Sequence, residues 1–168
     1  MNFIGQIIGF IFLGIAVYSF QFKEKEKLMR YRILSRILAS IHYILIGAYA
    51  GFISQFIETF ANLFAYKLEN TKQTNKVVMT FFIILFILFG IIIYQDIYDI
   101  LPIIVAVVTT IIIYTKGTDS IRTSQFFLVP LFFIYNIVNL SYAGMITDVL
   151  VIISCTLGKI KFDNKKRV

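Results

Sequence analysis

Apolar residues fall into seven runs separated by short polar or turn-rich breaks. The runs cover about Phe3–Phe22, Ile33–Ala48, Phe52–Tyr66, Val77–Tyr94, Ile100–Thr115, Gln125–Leu140 and Met145–Gly158. A helix rises ~1.5 Å per residue, so crossing a ~30 Å hydrocarbon core takes ~20 residues. The first and fourth runs meet that length. The third and seventh are short: they either re-enter the membrane or extend through Lys67 and Lys159 with those side chains snorkelling to the interface. The pattern predicts an all-α membrane protein, one transmembrane domain over 1–168.

Composition supports the bilayer as solvent: 59% of residues are hydrophobic, 15% are charged and mean hydropathy is +0.85. A net charge of +7 would suit nucleic acid, but the cations sit in short breaks beside the apolar runs, which argues against that partner. They occupy the breaks after the first, third and fifth runs and the C-terminal tail. Together these hold all 16 Lys and Arg, taking Arg36, slightly inside the second run, with the first break. The other side holds the N-terminus, Ala48–Gly51, Gln95–Asp99 and Ser141–Gly144, with Asp96 and Asp99 but no cation. The positive-inside rule then gives seven spans, N-terminus outside and C-terminus cytoplasmic; removing any one span would put cations on both sides. The N-terminus has no basic region ahead of its apolar run and is read as a retained helix. Asn2 excludes N-myristoylation, and the single Cys155 excludes an internal disulfide.

The chain also repeats. Shifted by 93 positions, Tyr49-Ala50-Gly51 falls on Tyr142-Ala143-Gly144, Ser54 on Thr147 and Gln55 on Asp148. With an offset of 96, Gln6 pairs with Pro102 and Tyr18 with Tyr114. Helices one to three (about 1–70) therefore match helices five to seven (about 100–160), with a linker helix at about 77–95. An odd linker makes the halves parallel repeats, which suits a cavity between them and alternating access.

Ile4-Gly5-Gln6 opens the first helix and Tyr18-Ser19-Phe20-Gln21 closes it; His42 is followed by Gly47-Ala48 and Gly51. These residues resemble the YgjV-type bacterial inner-membrane proteins, and the 3+1+3 arrangement looks like the SWEET and PQ-loop transporters. The first resemblance implies a bacterial inner-membrane location. The second implies a facilitative carrier of two three-helix bundles, its substrate flanked by asparagines on the third and seventh helices. Asn62 fits one of these, but its repeat mate is Cys155. Related nicotinamide-riboside carriers rely on tryptophans, and this chain has none.

Polar residues inside the spans are the candidates for function, because lipid exposure at mid-depth costs a few kcal/mol. Gln55, Glu58, Thr59, Asn62 and Tyr66 share one face of the third helix. Glu58, about 10 Å in from the outer turn, either contacts a proton or substrate, or is a structural carboxyl held by His42, Tyr43 or Arg36. His42 is a packed hydrogen-bonding residue or a relay. Asn136 and Asn139 are interhelical glue or pathway. Asp148 favours a helix N-terminus or binds substrate. Pro130 should kink the sixth helix. The pathway set is thus Glu58, Asn62, Gln55, His42, Asn136, Asn139 and Asp148.

The expected role is transport of a small polar solute between the repeats, without cofactor, nucleotide or metal and without enzymatic activity. The alternative is a non-transporting receptor, scaffold or complex subunit. An intramembrane enzyme acting on lipid finds little support, since no metal cluster or catalytic triad stands on one helix face. The Gly5–Gly9 pair allows close helix packing within or between chains, compatible with a homo-oligomer.

The orientation is testable by fusion. A green fluorescent protein at the C-terminus should fluoresce, and alkaline phosphatase joined after Gly51 or Gly144 should be active. The reverse pattern would overturn the orientation.

Overall fold

In a computed structural model, residues 3–68 and 75–163 are described. Seven α-helices follow one another: α1 Phe3–Ser19, α2 Lys25–Ile46, α3 Tyr49–Leu68, α4 Asn75–Ile92, α5 Ile100–Thr115, α6 Thr118–Val138 and α7 Tyr142–Gly158. A short 3-10 turn, Ile97–Asp99, precedes α5, and a π-helical turn, Lys159–Asp163, follows α7. No strand occurs among the described residues.

Two helices begin well before the apolar pattern places them. α2 starts at Lys25 rather than Ile33, and α6 at Thr118 rather than Gln125. The basic stretch of α2 is rich in Lys, Glu, Leu, Met and Arg, which favour helix regardless of hydropathy. Leu28 and Met29 are fully buried there, as is Ile121 in α6. The third and seventh helices are also longer than their apolar cores: α3 has 20 residues, and Tyr142–Phe162 makes a continuous 21-residue apolar stretch.

By length and composition, three helical stretches among the described residues can cross a membrane: Ile97–Thr115, Thr118–Val138 and Tyr142–Phe162. Phe3–Ser19 and Lys76–Ile92 are apolar but shorter. α2 and α3 carry charge and polar groups within their length. Those groups point inward: Arg32, Gln55, Glu58 and Asn62 are all buried. Outward, the helices present Phe10, Phe56, Phe60, Phe81, Leu88 and Phe127. A polar interior wrapped in an apolar exterior is the distribution a bilayer demands. Of the basic residues expected at the inner face, Lys72, Lys165, Lys166 and Arg167 lie outside the described residues.

Helix contacts close a circuit. α1 packs on α2, α2 on α3, α3 on α5, α5 on α6, α6 on α7 and α7 back on α1. α4 stands outside it against α3 and α5. Close approach in the circuit depends on small residues. A Cβ on Gly9 would run into the Ala143 Cβ and the His42 ring, and one on Gly51 would meet the Tyr135 and Tyr43 rings at 2.9 Å.

The α2–α3 and α6–α7 turns share one geometry. In the first, the Gly47, Ala48 and Tyr49 amides donate to the carbonyls of Ile44, Tyr43 and Gly47; in the second, the Leu140, Ser141 and Tyr142 amides donate to those of Ile137, Asn136 and Leu140. Each partner is displaced by 93 positions. Gly47 has φ +80° and Leu140, its counterpart, φ +50°, a left-handed conformation that suits glycine and strains leucine.

Leu140→Gly should therefore stabilise the protein by about 1 kcal/mol, and Gly47→Leu should destabilise it by about 1–2 kcal/mol. Thermal unfolding in detergent checks both; equal shifts for the two would contradict the shared geometry.

Candidate functional site: a charged cavity inside the helix circuit

A cavity of about 70 Å³ lies within the circuit and takes wall residues from α1, α2, α3, α5, α6 and α7. Its polar wall includes Arg32, Arg36, Gln55, Gln125, Thr147 and Asp148; its apolar wall is largely aromatic and aliphatic, with Phe12, Phe132 and Leu128.

Helical spacing brings the charges together. Arg32 and Arg36 are one turn apart on α2, so both guanidinium groups reach the same face of α3. The Glu58 Oε1 accepts a hydrogen bond from the Arg32 Nη2 at 3.1 Å and forms an ion pair with the Arg36 Nη2 at 3.0 Å. Arg36 also donates through Nη1 to the Gln55 Oε1 at 2.5 Å. One carboxylate oxygen thus serves two cations. The Glu58 Oε2, the Arg32 Nε and the Asn62 Oδ1 are buried with no hydrogen-bond partner among the described residues.

A second chain crosses from α2 to α7. The Tyr43 hydroxyl donates to the Asn136 Oδ1 at 2.8 Å, and the Asn136 Nδ2 donates to the Asp148 Oδ2 at 2.7 Å. Asp148 is buried and makes no ion pair with any described residue. The two carboxyl groups therefore differ: Glu58 is locked between guanidinium groups, whereas Asp148 faces the cavity with one amide for company.

The sequence-derived candidates separate on this geometry. Gln55 and Asp148 line the cavity; Glu58 stands behind it and holds two wall residues. Asn136 orients Asp148. Asn62 donates to the Glu58 backbone carbonyl at 2.6 Å and does not reach the wall. Asn139 caps α6 and donates to the Tyr135 carbonyl at 3.0 Å. His42 is fixed between α1 and the α6–α7 turn. Its Nδ1 lies 2.7 Å from the Gly5 carbonyl, which only accepts, so Nδ1 carries the proton and Nε2 accepts from the Ser141 hydroxyl at 2.8 Å. Ser141 Oγ in turn accepts from the Gly144 amide. At the other copy of the turn the Tyr135 hydroxyl accepts directly from the Gly51 amide at 2.7 Å. Tyr135 is the counterpart of His42, so both do the same service for a glycine amide.

By hydropathy Arg32 and Arg122 fall in the breaks between apolar runs, among the juxtamembrane cations. Both are buried in helices. Arg122 donates through Nε to the Phe20 carbonyl at 3.2 Å and through Nη2 to that of Phe22. It ties the end of α1 to α6. The missed signal was spacing: Leu28, Arg32, Ser35, Ala39 and Tyr43 recur every three or four residues, one helix face that continues past the start of the apolar run.

A family model described as Imp-YgjV, bacterial inner membrane protein, matches residues 3–166. The chain belongs to this family. Searches of curated proteins and of solved structures find no match. Membership makes it a membrane protein of the bacterial inner membrane, in accord with the apolar exterior. For this YgjV family member, the described residues hold no group of three or more His, Cys, Asp and Glu side chains placed to bind a metal.

Glu58→Gln should leave the buried Arg32 and the partly buried Arg36 sharing a neutral acceptor. Breaking a buried ion pair from one side costs about 3–5 kcal/mol, so the expected result is a large drop in thermal stability in detergent. Arg32→Gln, which leaves Glu58 paired with Arg36, should cost clearly less. Equal stability of Glu58→Gln and the parent would show that the cluster is not held by charge.

Proposed function

We propose that the protein is a SWEET-like transporter of a small polar solute, working by alternating access between two parallel repeats of three helices. The observation that carries this reading is the charged cavity lined by six helices, three from each repeat. The circuit of contacts supports it: each repeat contributes three successive helices, and the joins, α3 to α5 and α7 to α1, are equivalent under exchange of the repeats. The matching turns support the same exchange. α4, outside the circuit, serves as the linker. Under this reading the chain is multi-pass, with its N-terminus outside and its C-terminus in the cytoplasm.

A membrane protein can hold polar groups inside purely as glue, and His42, Asn139 and Arg122 fit that description. Arg32, Arg36, Gln55 and Asp148 do not, because they line space rather than only each other. A cavity wall with unused polar capacity suits reversible occupancy.

Purified protein in liposomes should take up at least one member of a panel of small neutral, zwitterionic and anionic solutes. Ser35→Phe, which fills the cavity, should reduce that uptake by about tenfold or more while the protein still purifies as a folded species. Absence of flux for the whole panel would overturn the transport reading in favour of a receptor or a subunit of a larger complex.

A further inference from the structure

We propose that the central cavity binds one small monovalent anion together with one proton, the anion against Arg32, Arg36 and Gln55 and the proton on Asp148. This rests on the cavity as the transport site and names its substrate class and coupling.

The argument starts from charge. Arg32 and Arg36 bring two positive charges to the cavity and Glu58 returns one negative charge. The cluster is left with a single positive charge. Arg32 is buried and Arg36 only a fifth exposed, and an unbalanced charge inside a membrane-embedded bundle is costly, so a nearby negative group is favoured. Asp148 is the carboxyl among the described wall residues, and the Arg36 charge acts on it. Ionised, Asp148 brings the cavity to neutrality when it is empty. Protonated, it leaves the positive charge for an anion to balance. The two low-cost states are therefore empty with Asp148 ionised, and anion-bound with Asp148 protonated. The proton comes from bulk water and returns there when the anion leaves.

The donors for an anion are present. The Arg32 side chain is buried, lines the cavity and has an Nε with no partner. Gln55 gives its Oε1 to Arg36, which leaves its amide nitrogen as a donor. Guanidinium groups match the planar oxygens of a carboxylate or nitrate. A volume of about 70 Å³ admits a solute of a few non-hydrogen atoms.

The neighbours of Asp148 allow the titration. From α6, Asn136 donates to its Oδ2. From α2, the Arg36 charge acts on it, and the Tyr43 hydroxyl donates to the same Asn136. α1, packed on the other side of α7, has no charged residue, and its Tyr18 lies on the exposed surface. Within α7 the other titratable side chains are Tyr142, exposed at the outer end, and Cys155, nearly two turns further in. No cation is fixed to Asp148, so its protonation breaks no ion pair.

The test uses the full chain in detergent, with nitrate and pyruvate as probes. Isothermal titration in buffers of different ionisation enthalpy should show about one proton taken up per anion bound, and affinity should fall by about tenfold per pH unit once Asp148 is ionised in the empty state. Asp148→Asn preserves the acceptor for Asn136 and fixes the cavity positive. It should bind anion without proton uptake and without that pH dependence. Arg36→Gln should weaken binding by about tenfold or more. Binding without proton uptake, retained pH dependence in Asp148→Asn, or no binding of either anion would each overturn the proposal. Liposome flux separates this from the transport reading. Linked binding without flux leaves the proposal standing and removes transport; flux of neutral solutes without anion binding does the reverse.

Discussion

The interior of this protein is organised by the cost of burying charge. Two arginines share one face of α2, Arg32 buried and Arg36 partly buried, and a buried guanidinium would not be tolerated there unpaired. Glu58 makes them tolerable by placing a single oxygen between them. That contact fixes the register of α2 against α3, because a slip of one residue on either helix would separate the partners. It also fixes what faces inward, since Ser35, Ala39 and Tyr43 follow Arg32 along the same stripe. The cavity exists where this stripe meets the other helices and fails to fill the space between them.

Polar side chains also stitch the circuit together at its ends. Gln6 donates to the Leu140 carbonyl and accepts from the Ala143 amide, which joins α1 to the α6–α7 turn. Gln21 and Ser154 do the same between the far ends of α1 and α7. Such bonds use groups that lipid could not satisfy, and each is modest in strength. Their number and spread explain how short turns and small residues such as Gly9 and Gly144 can hold six helices at close range.

The α2–α3 and α6–α7 turns share a backbone geometry, while residues related by the same offset differ in their chemistry. Positions related by 93 residues put Arg32 opposite Gln125, Gln55 opposite Asp148 and Glu58 opposite Val151. Gln125, Asp148 and Val151 all line the cavity, as do Arg32 and Gln55. The site is therefore cationic where the first half forms it and carboxylic where the second half does. The lopsided wall gives the cavity a directional charge distribution that a symmetric site would lack.

The amino-acid sequence alone determined the solvent, the helix count and the family resemblance. Apolar runs, interrupted by cations in alternate breaks, need no tertiary information to be read, because hydropathy is a property of each residue. The duplicated turn was legible for the same reason, as identical residues at a fixed offset. Helix starts were not, since Lys25–Arg32 and Thr118–Ser124 are helical through propensity and burial rather than hydropathy. Above all, the sequence could not tell which polar residues meet. Glu58 and Asp148 look alike as lone carboxyls in apolar helices. Only packing decided that Glu58 faces two guanidinium groups while Asp148 faces an amide and open space, because the partners come from other helices at sequence distances that no local pattern encodes.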